Sequence, residues 1–326
     1  MTDIIEPDIP IIDVHHHLWD PVVAVSQGQS GGYLLEDLVA DLNAGHKVVA
    51  SVYIECASYY RKGVPQAMAP IGEVEFACGI AAQGASEAYG PAHFCDSIIG
   101  YADFGNLGAD VEPVLEALVR QGNGRLKGIR YRTNSNPEVK QESPEDIIAT
   151  PNFRAAYGKL AKFGLSYDCW CYHPQLPDLI NCVREHPDVP VAMNHCGGLI
   201  GMGSYANRRE ECRQEWIGYL KELAKSPTFY MKLGAFFMPV FGLNMRGRDD
   251  LNAEVLAAAA KPIIYDLLEI FGPERCMFES NFPVTRDFID YATMYNAYKI
   301  AVADLTPAEK LWVFHDAAKT FYRMNV

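Results

Sequence analysis

The chain has 326 residues, 49% hydrophobic and 21% charged, the balance of a globular protein with a sizeable core and not of a disordered chain. Its 28 basic and 41 acidic residues give a net charge of −13, which excludes a general nucleic-acid surface because phosphate binding needs a basic footprint. Nine cysteines scattered through apolar runs read as reduced thiols, not as a disulfide scaffold. Residues 1–10 carry no basic segment ahead of an apolar stretch, and no apolar run reaches the length of a membrane span, so a cytoplasmic protein without a membrane partner is expected.

In chain order, β-branched or aromatic runs fall at residues 11–14, 48–55, 76–82, 97–104, 126–131, 165–172, 189–194, 228–233 and 276–279. Segments with helical spacing lie at 34–44, 111–121, 152–163, 175–185, 210–225, 253–271 and 307–322. The alternation is that of repeated βα units and predicts an α/β fold, a (β/α)8 TIM-like barrel spanning residues 1–326 as one domain. Nine strand candidates are one too many for eight, and the surplus one falls between residues 76 and 104. Pro307 after Thr306 marks a helix start, and Gly164 and Gly272 sit where helices end. The long loops at 132–151 and 234–252 follow strand ends, the side of a barrel where catalytic loops gather.

The sharpest local signal is Ile11-Ile12-Asp13-Val14-His15-His16-His17. Alternate residues of a strand share a face, so His15 and His17 project together, with Asp13 one step deeper on that face. His173 follows the run at 165–172 and His195 the run at 189–194, and barrel closure would bring these strand ends to one mouth. His46, His93, His186 and His315 lie in helix or loop contexts that suit surface or capping roles. Arg130 and Arg132 end the fourth strand two residues apart, and a guanidinium fork fits a carboxylate, which points to a small anionic substrate. Arg132 reads equally as solvated loop charge. Glu55 ends the second strand and Lys232 interrupts an apolar one, where neutralising a barrel carboxylate is its favoured role. Gly197-Gly198 allows backbone to approach a ligand closely, and Tyr53, Trp170, Phe236 and Phe237 are either pocket wall or ordinary core.

Residues 13–20, Lys127-Gly128-Ile129-Arg130, Gln175-Leu176-Pro177, residues 194–198 and Ser280-Asn281-Phe282-Pro283-Val284 together resemble the amidohydrolase superfamily. Within it the chain is similar to the amidohydrolase-2 branch of sugar-acid lactonases and pyrone-dicarboxylate lactonases. The resemblance implies that His15 and His17 are first-strand site residues, that His195 is the sixth-strand histidine and that His173 lies at or beside the fifth-strand position. It also implies a divalent metal, zinc first, on His15, His17 and His195, or else the metal-free chemistry that some lactonases use. Arg130 would hold a substrate carboxylate, with Arg132, His173 and Glu55 as further substrate-binding residues. Where the superfamily places an aspartate after the eighth strand this chain has Asn281, and a neutral amide cannot take a proton from water. Glu55, Glu279 and Asp287 are the alternative bases, each of which also reads as a structural acid. The expected catalytic set is His15, His17, His195 and Asn281. The expected reaction is hydrolysis of a lactone or related cyclic ester of a small carboxylated or sugar-derived acid. The alternatives are metal-dependent decarboxylation on the same barrel, or ligand binding without catalysis.

Overall fold

The structure, a computed structural model, describes residues 3–26, 31–245 and 247–326. Met1 and Thr2 of the acidic N-terminal stretch and Arg246 of the second long loop lie outside the described residues.

Eight strands form one sheet in sequence order. They are β1 (Ile11–His16), β2 (Val48–Ile54), β3 (His93–Gly100), β4 (Leu126–Arg132), β5 (Ser166–Trp170), β6 (Val191–Met193), β7 (Phe229–Leu233) and β8 (Cys276–Phe278). Every neighbouring pair in this order is parallel. The barrel closes just past β8. Main-chain N–H groups of Asn281 and His17 donate to the carbonyls of His15 and Phe282, both at 2.8 Å, and His16 bridges to Phe282 in parallel.

A helix follows each strand: α1 (Leu35–Leu42), α2 (Ile71–Gly84), α3 (Glu112–Gly122), α4 (Pro151–Lys159), α5 (Leu176–Glu185), α6 (Arg209–Leu223), α7 (Ala253–Phe271) and α8 (Tyr291–Ala301). Local chemistry sets several of their starts. Thr150, Asn252 and Asp290 each accept an amide of the first turn at the head of α4, α7 and α8. The run at 76–82 lies inside α2 and is the surplus strand candidate. That helix is buried on several faces, at Ile71, Val74, Ala77, Ile80 and Ala81, so its short apolar run carries no helical stripe. The third strand begins at His93, four residues before the expected start, and takes in a histidine read as loop. The helix α8, buried nearly all round through Tyr291, Met294, Tyr295 and Tyr298, has no amphipathic period and no expectation covers it.

Inside the barrel, Ile12, Val14, Ala50, Val52, Ile54, Ile99, Ala192 and Met277 pack with Ala317, Phe321 and Tyr322 of the C-terminal segment. This apolar plug fills the end opposite the mouth. Above it the buried Lys232 donates to Asp168 at 2.5 Å and to the Val14 carbonyl at 3.0 Å, which bears out its structural reading. The polar site lies on the next layer.

Candidate active site

The register of β1 on β2 shifts between Asp13 and His16. Ile12 and Val14 face the inner plug, while Asp13 accepts from the Tyr291 hydroxyl of the outer helix α8 at 3.1 Å and from Ser280 N at 3.0 Å. The expectation that Asp13 shares the face of His15 is therefore corrected: the irregularity interrupts strict alternation below His15. Burial pushes the Asp13 carboxyl up to about 6. His15 and His17 do turn to one side, with ring centroids 5.0 Å apart. His16 turns away to Ser51, 2.9 Å from its Nε2.

The rings of His15 and His195 are 4.6 Å apart and share one carboxylate, that of Glu279. Nδ1 of His195 lies 2.6 Å from Oε1, which also accepts the His195 backbone N–H at 2.9 Å. Nδ1 of His15 lies 2.9 Å from Oε2, out of line for a hydrogen bond, so both of these buried atoms are without a hydrogen-bond partner. Glu279 fits because Gly234 faces it: a Cβ there would stand 2.4 Å from Glu279 Cγ. His195 and Asn281 both adopt left-handed backbone, φ 53° and 55°, a conformation that costs a non-glycine residue free energy and concentrates at functional sites. The turn carrying His195 needs Gly198, where φ is 62° and a Cβ would stand 2.1 Å from the Cys171 carbonyl oxygen.

Above this cluster opens a cavity of about 400 Å³ lined by His17, Arg130, Arg132, Trp170, His195 and Asn281. His15 lies beneath it, fully buried. Burial first, then the nearby Lys232, His195 and Arg130 charges, holds the His15 imidazole well below its usual range, so it stays neutral. Burial and Arg130 do the same to His17. Its Nδ1 donates to the Ile54 carbonyl at 2.9 Å, which leaves Nε2 as the acceptor nitrogen.

Arg130 is largely committed. Its Nε donates to Glu55 Oε1 at 2.7 Å, one terminal nitrogen donates to the Glu55 carbonyl, and the other donates to His15 Nε2 at 3.3 Å. Glu55 is buried behind it and does not line the cavity. Arg132 is different: its side chain is 33% exposed, and its nitrogens stay 3.7 Å from both Glu55 and Glu142, beyond hydrogen-bond reach. Lys140 and Glu142, paired on the loop after β4, complete that rim. Sequence reasoning marked the loop but not these two residues.

The structure does not bring His173 into the cavity: its Nδ1 accepts from Ile200 N at 3.1 Å, and its ring meets Tyr205 edge-on at 5.5 Å. Tyr53 points to the helix layer, donating to Glu73 at 2.9 Å, and Phe236 and Phe237 line a neighbouring cavity. Asp287 is exposed and off the cavity wall. His46, expected at the surface, is buried and bonded to the Ala292 carbonyl and Lys299.

His15, His195 and Glu279 each offer one donor atom, all within 4.8 Å of one another. Two imidazoles and a carboxylate are a donor set that catalytic zinc sites use, and the partnerless Glu279 Oε2 fits a metal, which His15 would join through Nδ1 once its Nε2 no longer accepts from Arg130. Among the described residues this cluster has Glu279 where the expected set had His17.

Histidines from the ends of β1 and β6 that meet a single carboxylate at a barrel mouth define a barrel enzyme of the amidohydrolase kind. The chain belongs to the amidohydrolase family, whose model matches residues 12–324. It is 29% identical to the uncharacterized protein y4mH of Sinorhizobium fredii, covering 97% of this chain and 99% of that protein. It is 23% identical to an L-fucono-1,5-lactonase of Burkholderia multivorans, covering 84% and 82% of the two chains. A solved amidohydrolase from Burkholderia multivorans with bound zinc shares the fold at TM-score 0.73 and 20% identity, covering 96% and 99%. A 2,6-dihydroxybenzoate decarboxylase from Rhizobium does so at TM-score 0.58 and 13% identity, covering 96% and 98%.

Proposed function

We propose that this chain hydrolyses a lactone or related cyclic ester of a small carboxylated or sugar-derived acid. The observation that carries the reading is the His15–Glu279–His195 cluster under a cavity rimmed by Arg132 and Lys140. With its Nδ1–H held by Glu279, His195 presents Nε2 to the cavity as a base, in the orientation a carboxylate imposes on a catalytic imidazole. His195 takes a proton from water as the water oxygen bonds to the ester carbonyl carbon. The proton then passes to the ring oxygen as the carbon–oxygen bond breaks, leaving a hydroxy acid. Free N–H groups of Arg130 and the Asn281 amide stabilise the oxyanion, and Arg132 with Lys140 anchors the remote carboxylate. His15, His195 and Glu279 would otherwise hold a divalent metal, zinc first among candidates, whose Lewis acidity would then take the place of the His195 base, because one imidazole nitrogen cannot both ligate a metal and accept a proton. Among the described residues, which include all nine cysteines, no disulfide is formed, which supports a cytoplasmic setting.

The test is a panel of carboxylated lactones and phenolic acids, run alongside elemental analysis of gently purified protein. Hydroxy-acid release from a lactone, lost in His195→Ala, is expected. Carbon dioxide release from a phenolic acid, with every lactone left intact, would overturn the reading in favour of decarboxylation.

A further inference from the structure

Beside the catalytic cavity lies a second of about 690 Å³, within the roughly 300–1,000 Å³ of small-molecule sites, and Arg132 lines both. Its wall is formed by the rings of Tyr60 and Tyr101 and by Pro70 and Leu107, with Ala57, Ala67 and Ala69 between them. Tyr101 is braced by Tyr131, ring centroids 5.8 Å apart and 17° from parallel. The acid in this wall, Asp103, is turned onto Asn106, accepting from its backbone N–H at 3.1 Å and its side-chain amide at 2.7 Å. The space thus offers two aromatic rings and small apolar side chains, with the amides of Gln66 and Asn106 as its neutral polar groups, and its cation stands at the doorway to the catalytic cavity. Arg132 reaches no carboxylate within hydrogen-bond distance, so its donors can take one from a ligand.

We infer that the substrate is a carboxylated lactone carrying an aryl substituent. The carboxylate is held at Arg132, the ring ester lies over His195, and the aryl group lies against Tyr60 and Tyr101. This rests on the hydrolase reading for the ester, but the aryl site stands on its own geometry.

The test is calorimetric binding of propanoate, 3-phenylpropanoate and glucuronate to the full chain, which needs no turnover. The phenyl group is expected to raise affinity about tenfold or more over propanoate, the scale set by burying one aromatic side chain. Ala67→Trp, which fills the second cavity, should abolish that gain while leaving propanoate affinity within about twofold. Tyr101→Ala removes a ring without adding bulk and should also lose most of the gain, so the failure of either variant to fold leaves the other as a test. Equal affinity for the two propanoates, a gain that survives both substitutions, or tighter binding of glucuronate than of 3-phenylpropanoate would overturn the aryl site. A chain that shows the gain yet opens no lactone keeps this site and loses the hydrolase reading. One that opens lactones without the gain does the reverse.

Discussion

His195 holds Glu279 twice on the same oxygen, through its backbone N–H at 2.9 Å and its ring Nδ1 at 2.6 Å. A glutamine in place of Glu279 keeps the volume and removes the charge between the two imidazoles. Glu279→Gln is expected to lower kcat by about 100-fold or more, the scale of losing an oriented base, with the near-ultraviolet dichroism retained. Turnover at the parental rate would take Glu279 out of the chemistry.

The two arginines of β4 separate stability from binding. Arg130→Gln leaves Glu55 buried with only the looser Arg132 contact at 3.7 Å, and is expected to cost about 3 kcal/mol in urea unfolding. Arg132→Gln, at a half-buried and loosely paired site, is expected to cost about 1 kcal/mol while raising KM for an acid substrate about tenfold. If Arg130→Gln instead raised KM at full stability, the substrate carboxylate would belong to Arg130.

Asn281 lines the cavity beside His195, where an added carboxylate would face the donor cluster. Asn281→Asp is expected to tighten zinc binding about tenfold in competition with a chelator. Unchanged zinc affinity would put Asn281 outside the metal's reach.

Burial lowers the His173 imidazole to about 4, with Arg208 adding to the effect. The unfolded chain, near pKa 6.5, therefore binds this proton more readily than the folded one between pH 6.5 and 4. Stability contributed by neutral His173 is complete above about pH 6.5 and is lost as pH falls through about 4. In His173→Gln the slope of unfolding free energy against pH should shrink by close to one proton across that window. An unaltered slope would show that His173 titrates normally in the folded chain.

The His15–His17 pair was legible because its cause is local, the two-residue repeat of a strand. The strand order was legible for a similar reason, since βα alternation leaves few topologies. Asp13 was misplaced because the bulge above it depends on how β1 meets β2. Glu279 stayed one acid among three because its partner His195 is 84 residues away, a distance at which spacing carries no signal. Lys140 and Glu142 reach the rim through loop geometry, and the two roles of Arg130 and Arg132 follow from Glu55, which no local pattern pairs with either of them.

The seam between β8 and β1 bears on biosynthesis. Because the ring is shut by Asn281 and Phe282 meeting His15 and His17, a nascent chain still short of residue 281 carries the histidines of β1 and β6 on a sheet with two raw edges. Such edges recruit other strands. Interrupted translation of this chain would therefore leave not a weakened catalyst but an aggregation-prone fragment with no catalysis at all. The site is complete only once the segment just past β8 has met β1 and the C-terminal residues that plug the barrel have followed it out of the ribosome.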